Sequence, residues 1–217
     1  MDDDTGQGPR RCVGTPSARC SGRRRPLEPE EVAPYAPDVA SDAVPSRRGR
    51  SYERIELADL RHLGEIAAED RDFFYRKHPE YRDRLVCVAL CQGAAKHFVD
   101  MEAGAERPNG VKDFDVWSFF AAIPGQQFPA AIRHRHFDFG PSRFGAEPAQ
   151  PAKFSHIKGR RVDVFLRDLP VGLDADPVEA LRGYLERRRT DSARALAAKA
   201  AVLIEPAALI GTIAWPR

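Results

Sequence analysis

Bulky apolar residues are unevenly distributed along this chain of 217 residues, and that unevenness limits where a core can form. All twelve phenylalanines lie between Phe73 and Phe165. Residues 1–50 contain nine Arg, seven Pro and five Gly, but no Phe, Trp or Ile. Such a segment lacks the apolar surface that would offset the entropy lost on ordering it. We therefore predict a disordered Pro/Arg-rich tail over 1–50 and a single folded domain over 51–217.

The charge balance and the apolar runs narrow the class of function. The chain has 34 basic and 32 acidic residues, for a formal net charge of +2. This balance lacks the strong basic excess of a general nucleic-acid binder, so stable DNA binding is not expected. No run of about 18 apolar residues occurs, and the acidic start Met1–Asp4 is not followed by the apolar core of a signal peptide. These features predict a cytoplasmic protein without a membrane partner.

Hydrophobic periodicity predicts an α+β domain, with a small mixed sheet flanked by helices. Apolar residues at three- and four-residue steps predict an amphipathic helix that ends at Pro79, and short apolar or alternating runs predict strands. The predicted strands cover 84–91, 113–123 and 161–166. The predicted helices cover 53–77, 94–101 and a C-terminal pair over 176–203, with N-caps at Asp176 and at Thr190 or Asp191.

Several other features carry weaker predictions. Residues 124–145 are predicted to form a long irregular loop, in which Arg133 and Arg135 contact phosphate or are simply solvated. Zinc binding there is disfavoured because no Cys or acid follows the histidines at a suitable spacing. Cys87 and Cys91 are predicted to be buried free thiols. The run Arg187–Arg189 ends a predicted helix, where cations suit the helix dipole, and receives no function.

Three acidic residues and one glycine stand in an order that indicates chemistry on phosphates. One strand runs into Gly93 and a helix, a later strand begins with Asp113 and Asp115, and a third carries Asp163 between two valines. Residues i and i+2 of a strand project from the same face, so Asp113 and Asp115 are predicted to lie together. Asp163 would lie about 5 Å away if its strand is a neighbour. Three carboxylates this close repel one another unless cations neutralise them.

This set of residues could support metal-assisted transfer of a nucleoside monophosphate. Carboxylate oxygens suit Mg²⁺ or Mn²⁺, and the start of the helix after Gly93 presents N–H groups to an anion. Each signal also has a plainer interpretation. Asp113 and Asp115 could belong to a solvated strand face, and Asp163 could be paired with Arg160 or Arg161. Trp117 could line a nucleotide pocket or pack in the core.

The same ordered set resembles the nucleotidyltransferase superfamily, which includes polymerase β. It is most similar to the small bacterial branch that contains AbiEii-type toxins, whose motif is a Gly-Gly-Thr/Ser-Ala helix followed by an Arg and Asp-apolar-Asp. The resemblance covers 84–168. Gln92 stands at the first glycine and Ala94 at the hydroxyl residue, and twenty residues separate Gly93 from Asp113, more than is usual in the family.

The resemblance implies an Mg²⁺- or Mn²⁺-dependent nucleotidyltransferase that uses an NTP and a hydroxyl acceptor on a protein, an RNA or a small molecule. It implies metal binding by Asp113, Asp115 and Asp163, with Asp163 also activating the acceptor. The residues that it assigns to the nucleotide are Gly93, Ala94, Lys96, Arg107 and Lys112. The substitutions at Gln92 and Ala94 imply an alternative: an inactive member of the family that binds a nucleotide or a partner.

Overall fold

A computed structural model describes residues 49–129, 142–146 and 159–216 with their side chains, and residues 133–138 as backbone. Within these residues, four helices and six strands form an α+β domain with a mixed sheet, which confirms the predicted fold class at that level. The predicted tail lies outside the described residues except for Gly49 and Arg50. Arg50 Nη1 donates to the carbonyls of Asn109 and Gly110, at 3.1 Å each. The contacts of the domain therefore begin slightly before residue 51.

Helices and strands alternate in the first half of the described chain, and their bounds are as follows. They are α1 (Leu57–Lys77), β1 (Leu85–Cys91), α2 (Gln92–Glu102), β2 (Phe114–Ala121), β3 (Arg133–Asp138), β4 (Arg160–Leu169), α3 (Pro177–Arg187), α4 (Asp191–Ala197), β5 (Ala201–Glu205) and β6 (Ile213–Trp215). The strand order in the sheet is β3-β4-β2-β1-β5-β6. The β2–β4 pair is parallel and the other pairs are antiparallel.

The alternation of side chains along the strands divides the core between the two faces of the sheet. Helices α1 and α2 cover one face, which we call the α1/α2 face. Its core includes Leu60, Leu63, Val88, Leu90, Phe114, Val116, Val162 and Val164. Helices α3 and α4 cover the other, the α3/α4 face, with Cys87, Ala89, Trp117, Phe119, Leu181, Leu185 and Leu196. Because β1 is buried on both faces, its sequence is continuously apolar rather than alternating.

The predicted helix ends are largely confirmed. Helix α1 ends at Lys77, two residues before Pro79. Asp176 caps α3 by accepting from the Glu179 N–H at 2.9 Å, and Thr190 caps α4 by accepting from the Ala193 N–H at 3.0 Å. None of the helices in the described ranges is both long and apolar enough to cross a bilayer.

The prediction of a C-terminal helix continuing to residue 203 is wrong. Helix α4 ends at Ala197, and Ala201–Glu205 forms strand β5, which pairs with β1. A short apolar run such as Val202-Leu203-Ile204 suits a buried helix or a buried strand equally well by periodicity. Pairing decides for the strand, because β5 supplies hydrogen bonds to an edge of β1 that would otherwise be buried without them.

The predicted irregular loop over 124–145 also needs correction. Residues Arg133–Asp138 form strand β3, which pairs antiparallel with β4 at the edge of the sheet. Edge strands of natural sheets are often rich in charged residues, which discourage pairing with other chains. The basic composition of this strand therefore hid it from a search for apolar alternation.

Candidate active site

The parallel pairing of β2 and β4 places Asp115 directly opposite Asp163 in the ladder. Both acids alternate in phase with Trp117 and Phe165, which pack among the residues of the α3/α4 face. The two carboxylates therefore belong to that face. Asp113 lies one residue before the start of β2 and follows the same alternation. The structure thus brings together the three acids that the sequence singled out.

The turn from β1 into α2 lies at the same edge of the sheet. Cys91, the last residue of β1, is opposite Asp115 in the antiparallel ladder, so Gln92 begins α2 beside the acids. Gln92 has φ 58°, a left-handed conformation that glycine adopts readily. This is the position at which the resembling family has its first glycine. The chain keeps a glycine-like backbone there, at a cost of about 1 kcal/mol for a residue with a side chain.

Among the described residues, the three acids carry more negative charge than the neighbouring cations balance. Burial, followed by the charges of Asp113 and Asp163, raises the pKa of Asp115 from 3.8 to about 7. The positive charges of Arg161 and Lys199 lower that pKa and only partly offset the rise. A carboxyl group with such a pKa is half protonated near neutral pH, and a further cation beside it would favour its ionised form.

Arg161 is the principal cation of the cluster. Its guanidinium forms an ion pair with Asp113, and its Nε lies 3.4 Å from Asp163 Oδ2. The Asp163 side chain is only 1% exposed, and an acid so deeply buried needs such a partner. The prediction that Asp163 could be paired with Arg161 is therefore confirmed. Arg161 contacts two of the three carboxylates that the metal hypothesis requires.

The carboxylate oxygens of the three acids are the chemical type of ligand that Mg²⁺ and Mn²⁺ prefer. All three acids offer the hard oxygen ligands that these ions take, and the raised pKa of Asp115 reflects negative charge that an ion would neutralise. In the described parts of the chain, no three acid, His or Cys side chains are close enough to share one ion. A bound ion must therefore compete with the Arg161 guanidinium for Asp113 and Asp163.

The turn at Gly93, which the sequence predicts to lie close to a phosphate, is tightly packed. The Gly93 carbonyl accepts from Asn109 Nδ2 at 2.9 Å, and a Cβ at position 93 would lie 3.4 Å from the same atom. Ala94 is fully buried in the core of the α1/α2 face. Its methyl group therefore points away from the acids, and only its backbone N–H could serve an anion. Asn109, which the sequence gave no reason to single out, fixes this turn.

The three predicted basic contacts lie further out. Lys96 is half exposed and pairs with Asp100 at 2.9 Å, one turn along α2. Lys112 is exposed and offers its carbonyl to Arg160 at 3.1 Å, and Arg107 is exposed in the loop before β2. Among the described residues, none of the three forms an ion pair with the acid cluster. Their assignment to the nucleotide stays a prediction.

A buried histidine supports the loop that leads to Asp113. The Gly110 N–H donates to His97 Nδ1 at 3.2 Å, so the ring is neutral and its Nε2–H donates to the Glu53 carbonyl at 3.0 Å. Burial lowers the pKa of His97 and keeps it neutral. This ring joins α2, the loop before β2 and the segment before α1.

Other residues noted in the sequence have structural positions. Trp117 is 5% exposed and stacks on Phe165 with ring centroids 4.5 Å apart, which favours the core interpretation. Arg143 donates to Asp59 at 3.1 Å and anchors its loop to the start of α1. Cys87 and Cys91 are buried free thiols, as predicted, and burial raises the pKa of both.

The side chains of Arg133, Arg135 and the two neighbouring histidines lie outside the described residues. The backbone register places Arg135 opposite Asp163. Lys199, just before β5, is a cation near Asp115 that the sequence did not reveal. The sequence did not reveal this lysine because the segment around it is predicted to be helical. A position inside that helix would not have placed it beside the end of β1.

Similarity to other proteins does not assign a family to this chain. Comparison with protein-family models and with curated protein sequences finds no match. The functional argument therefore depends on the acid cluster and on the turn at Gln92.

Proposed function

We propose that this chain is an Mg²⁺- or Mn²⁺-dependent nucleotidyltransferase, which moves a nucleoside monophosphate from an NTP to a hydroxyl group. The observation that carries the proposal is the register of Asp115 with Asp163, beside the turn where β1 enters α2. Two acids on neighbouring strands are thereby held at the same end of the sheet as the start of α2, which follows the third strand, β1. The acceptor belongs to a protein, an RNA or a small molecule, and we place the protein in the cytoplasm.

The roles of the residues follow from their positions. Asp113, Asp115 and Asp163 would hold the ion once their side chains draw closer together than they lie in the structure. The ion would supply charge neutralisation for the triphosphate and for the attacking hydroxyl. The N–H groups of Gly93 and Ala94, in the first turn of α2, face the phosphates. In the transfer, the acceptor oxygen bonds to the α-phosphorus, the bond from that phosphorus to the pyrophosphate breaks, and the acceptor proton passes to a carboxylate of the cluster.

A second candidate function is favoured by Arg161. Its contacts with Asp113 and Asp163 already neutralise part of the site without a metal ion. Ala94 offers no hydroxyl to a phosphate. A chain built in this way could bind a nucleotide, or a partner, at the same edge without turnover.

The first test is thermal unfolding with each of the four NTPs, with and without Mg²⁺. A ligand at about 100 times its Kd stabilises the fold by about 2.7 kcal/mol, which raises Tm by roughly 5–10 °C at this size. A metal-dependent rise in Tm supports the site if it disappears in Asp115→Asn. The rise should persist in the control Asp174→Asn, which changes an exposed acid outside the cluster. No rise with any NTP overturns the enzyme and the nucleotide-binding form of the second candidate.

The second test separates turnover from binding. The chain is incubated with α-³²P-labelled NTPs and with RNA or protein as acceptors, and label transfer is measured. Asp163→Asn should lower transfer by about 10²- to 10⁴-fold, the usual range for loss of a group that moves a proton in the reaction. Nucleotide binding with no label on any acceptor and no release of pyrophosphate would favour the second candidate and contradict the enzyme.

A further inference from the structure

A second concave site lies on the α3/α4 face, at the other end of β4. It is a cavity of about 240 Å³ that we call the arginine pocket. Its walls include Arg167, Asp168, Tyr184, Arg187, Arg189 and Thr190. The run Arg187–Arg189 has a local explanation at a helix end, but the fold also places two of its members on one cavity.

The arginine pocket is separate from the acid cluster. Arg167 follows Asp163 by four residues on the same strand, which is about 13 Å at the usual rise of a strand. The stacked rings of Phe165 and Trp117 lie between the two positions. A ligand in the pocket therefore needs neither the acids nor a metal ion bound by them.

The charge of the pocket suits a doubly charged anion. Three arginines and one aspartate line it, which gives a formal charge of +2. Within the described chain, no ion pair joins Arg167, Arg187 or Arg189 to a carboxylate. A phosphate monoester carries about −1.5 to −2 charges near neutral pH and matches this balance.

Arg167 is held in place without being neutralised. Its Nη2 donates to Ser192 Oγ at 3.0 Å, and a hydroxyl partner leaves the positive charge of the guanidinium intact. Its Nε is buried and makes no hydrogen bond to the described residues. Most buried donors in proteins have a partner, and guanidinium groups bind phosphate oxygens through paired N–H groups. The Tyr184 and Thr190 hydroxyls, 3.0 Å apart, complete the polar wall.

An unusual backbone conformation brings the other two arginines to the same cavity. Residues i and i+2 of a helix do not share a face, so a continued helix would separate Arg187 from Arg189. Arg188 instead adopts φ 45°, in the left-handed region, and ends α3. Its carbonyl accepts from Arg194 Nη1 at 3.1 Å, which fixes the turn. A residue with a side chain adopts this conformation at a cost of about 1 kcal/mol or more.

We propose that the arginine pocket binds the terminal phosphate group of a phosphate monoester. The +2 charge of the pocket favours a terminal dianionic phosphate over the singly charged phosphodiester of a nucleic-acid backbone. The ligand is a phosphorylated small molecule or a phosphorylated chain end. The proposal does not depend on the nucleotidyltransferase activity.

Calorimetric titration with phenyl phosphate tests it, in EDTA and at about pH 7.5, above the second phosphate pKa near 6. We expect Arg167→Gln and the double variant Arg187→Gln/Arg189→Gln to weaken binding by tenfold or more, which is about 1.4 kcal/mol. Arg188→Gly is the matched control, because it removes one charge from the same run while glycine keeps the left-handed turn. It should leave the affinity unchanged. Equal weakening in the control would overturn the assignment to the pocket.

Further titrations test which class of phosphate binds and whether the arginine pocket is independent of the acid cluster. Dimethyl phosphate, a diester, should bind at least tenfold more weakly than phenyl phosphate, and equal affinity would overturn the monoester claim. An oligoribonucleotide that binds only with its 5′-phosphate supports a chain end, whereas equal binding of its 5′-hydroxyl form contradicts the proposal. Asp115→Asn should bind phenyl phosphate like the wild type, even if the chain transfers no nucleotide. Loss of binding in that variant would show that the site is not separate.

Discussion

Strand β4 carries opposite charges at its two ends on the same face of the sheet. At the acid end, Asp163 lies opposite Asp115, and among the described side chains Arg161 contacts two carboxylates. At the basic end, Arg167 lies near two more arginines and only one aspartate. The acid end is built from neighbouring strands, whereas the basic end combines one strand with the turn between α3 and α4.

This difference in construction sets how much each group of like charges destabilises the fold. The ladder holds Asp115 and Asp163 side by side in a buried position, where repulsion is poorly screened. Arg187 and Arg189 are exposed, so water and salt screen their repulsion. Changes at the acid end should therefore alter stability strongly and with pH, and changes at the basic end should alter mainly binding.

Arg161→Met should give the largest effect. It removes the cation that contacts both Asp113 and the buried Asp163, and loss of the partner of a buried charge costs about 3 kcal/mol. The loss should appear in urea unfolding above pH 7, where Asp115 ionises. Millimolar Mg²⁺ should restore part of it. Arg194→Met, which breaks an exposed pair, should cost less than about 1 kcal/mol. Similar losses in both variants would contradict the contrast.

Asp115→Asn should stabilise the protein at high pH. The pKa of Asp115 is 3.8 when unfolded and about 7 when folded, so its proton favours the folded state and this stability is lost as pH rises towards 7. Asparagine has no such loss. The variant should gain on the order of 2 to 4 kcal/mol above pH 7, since one pKa unit corresponds to about 1.4 kcal/mol. The gain should vanish below the unfolded pKa of 3.8. A gain that does not change with pH would contradict the charge explanation.

His97→Gln should change stability with the opposite pH dependence. Burial lowers the pKa of His97, so the unfolded chain takes up a proton more readily, and stability falls as pH drops below 6.5. The wild type should lose stability of this origin between pH 7 and 5. The variant, although less stable at pH 7, should not show that additional loss. Parallel urea series for the two proteins measure it, and identical slopes would show that His97 is not the titrating group.

Gln92→Gly, beside the acid end, and Arg188→Gly, beside the basic end, should give the smallest changes in stability. Both residues have left-handed backbone conformations, at φ 58° and 45°. Glycine removes the steric cost but adds entropy to the unfolded chain, so each variant should gain at most about 1 kcal/mol. Thermal unfolding measures both. A clear loss in either would show that its side chain stabilises the fold more than the backbone strain destabilises it.

The acid end could be predicted from the sequence because its arrangement depends on local rules. Strand alternation alone aligns Asp113 with Asp115, and one buried acid among valines marks the neighbouring strand. The contact of Arg161 was foreseen only as an alternative. Lys199 was not foreseen, because an Ala-rich segment continuing into an apolar run is compatible with a helix. Only pairing with β1, which is distant in sequence, shows that the run is a strand.

The basic end could not be predicted in the same way. Three consecutive arginines at a helix end have an adequate local explanation in the helix dipole. Their approach to Arg167 depends on how α3 and α4 pack against β4, and on a left-handed residue that has a side chain. Sequence rules assign that conformation to glycine or asparagine, so an arginine there gives no signal.

The pairing of β1 with β5 has a consequence for synthesis of the chain. Strand β1 leaves the ribosome well before β5, yet among the described residues one of its two edges is paired by Ala201–Glu205, more than a hundred residues later in the chain. Until that segment emerges, Leu85–Cys91 presents an uncharged apolar edge, the kind of surface on which nascent chains aggregate. Strand β5 thus acts as a completing element of folding, and a substitution that prevents its pairing with β1 should harm yield more than it harms the chemistry of the acids.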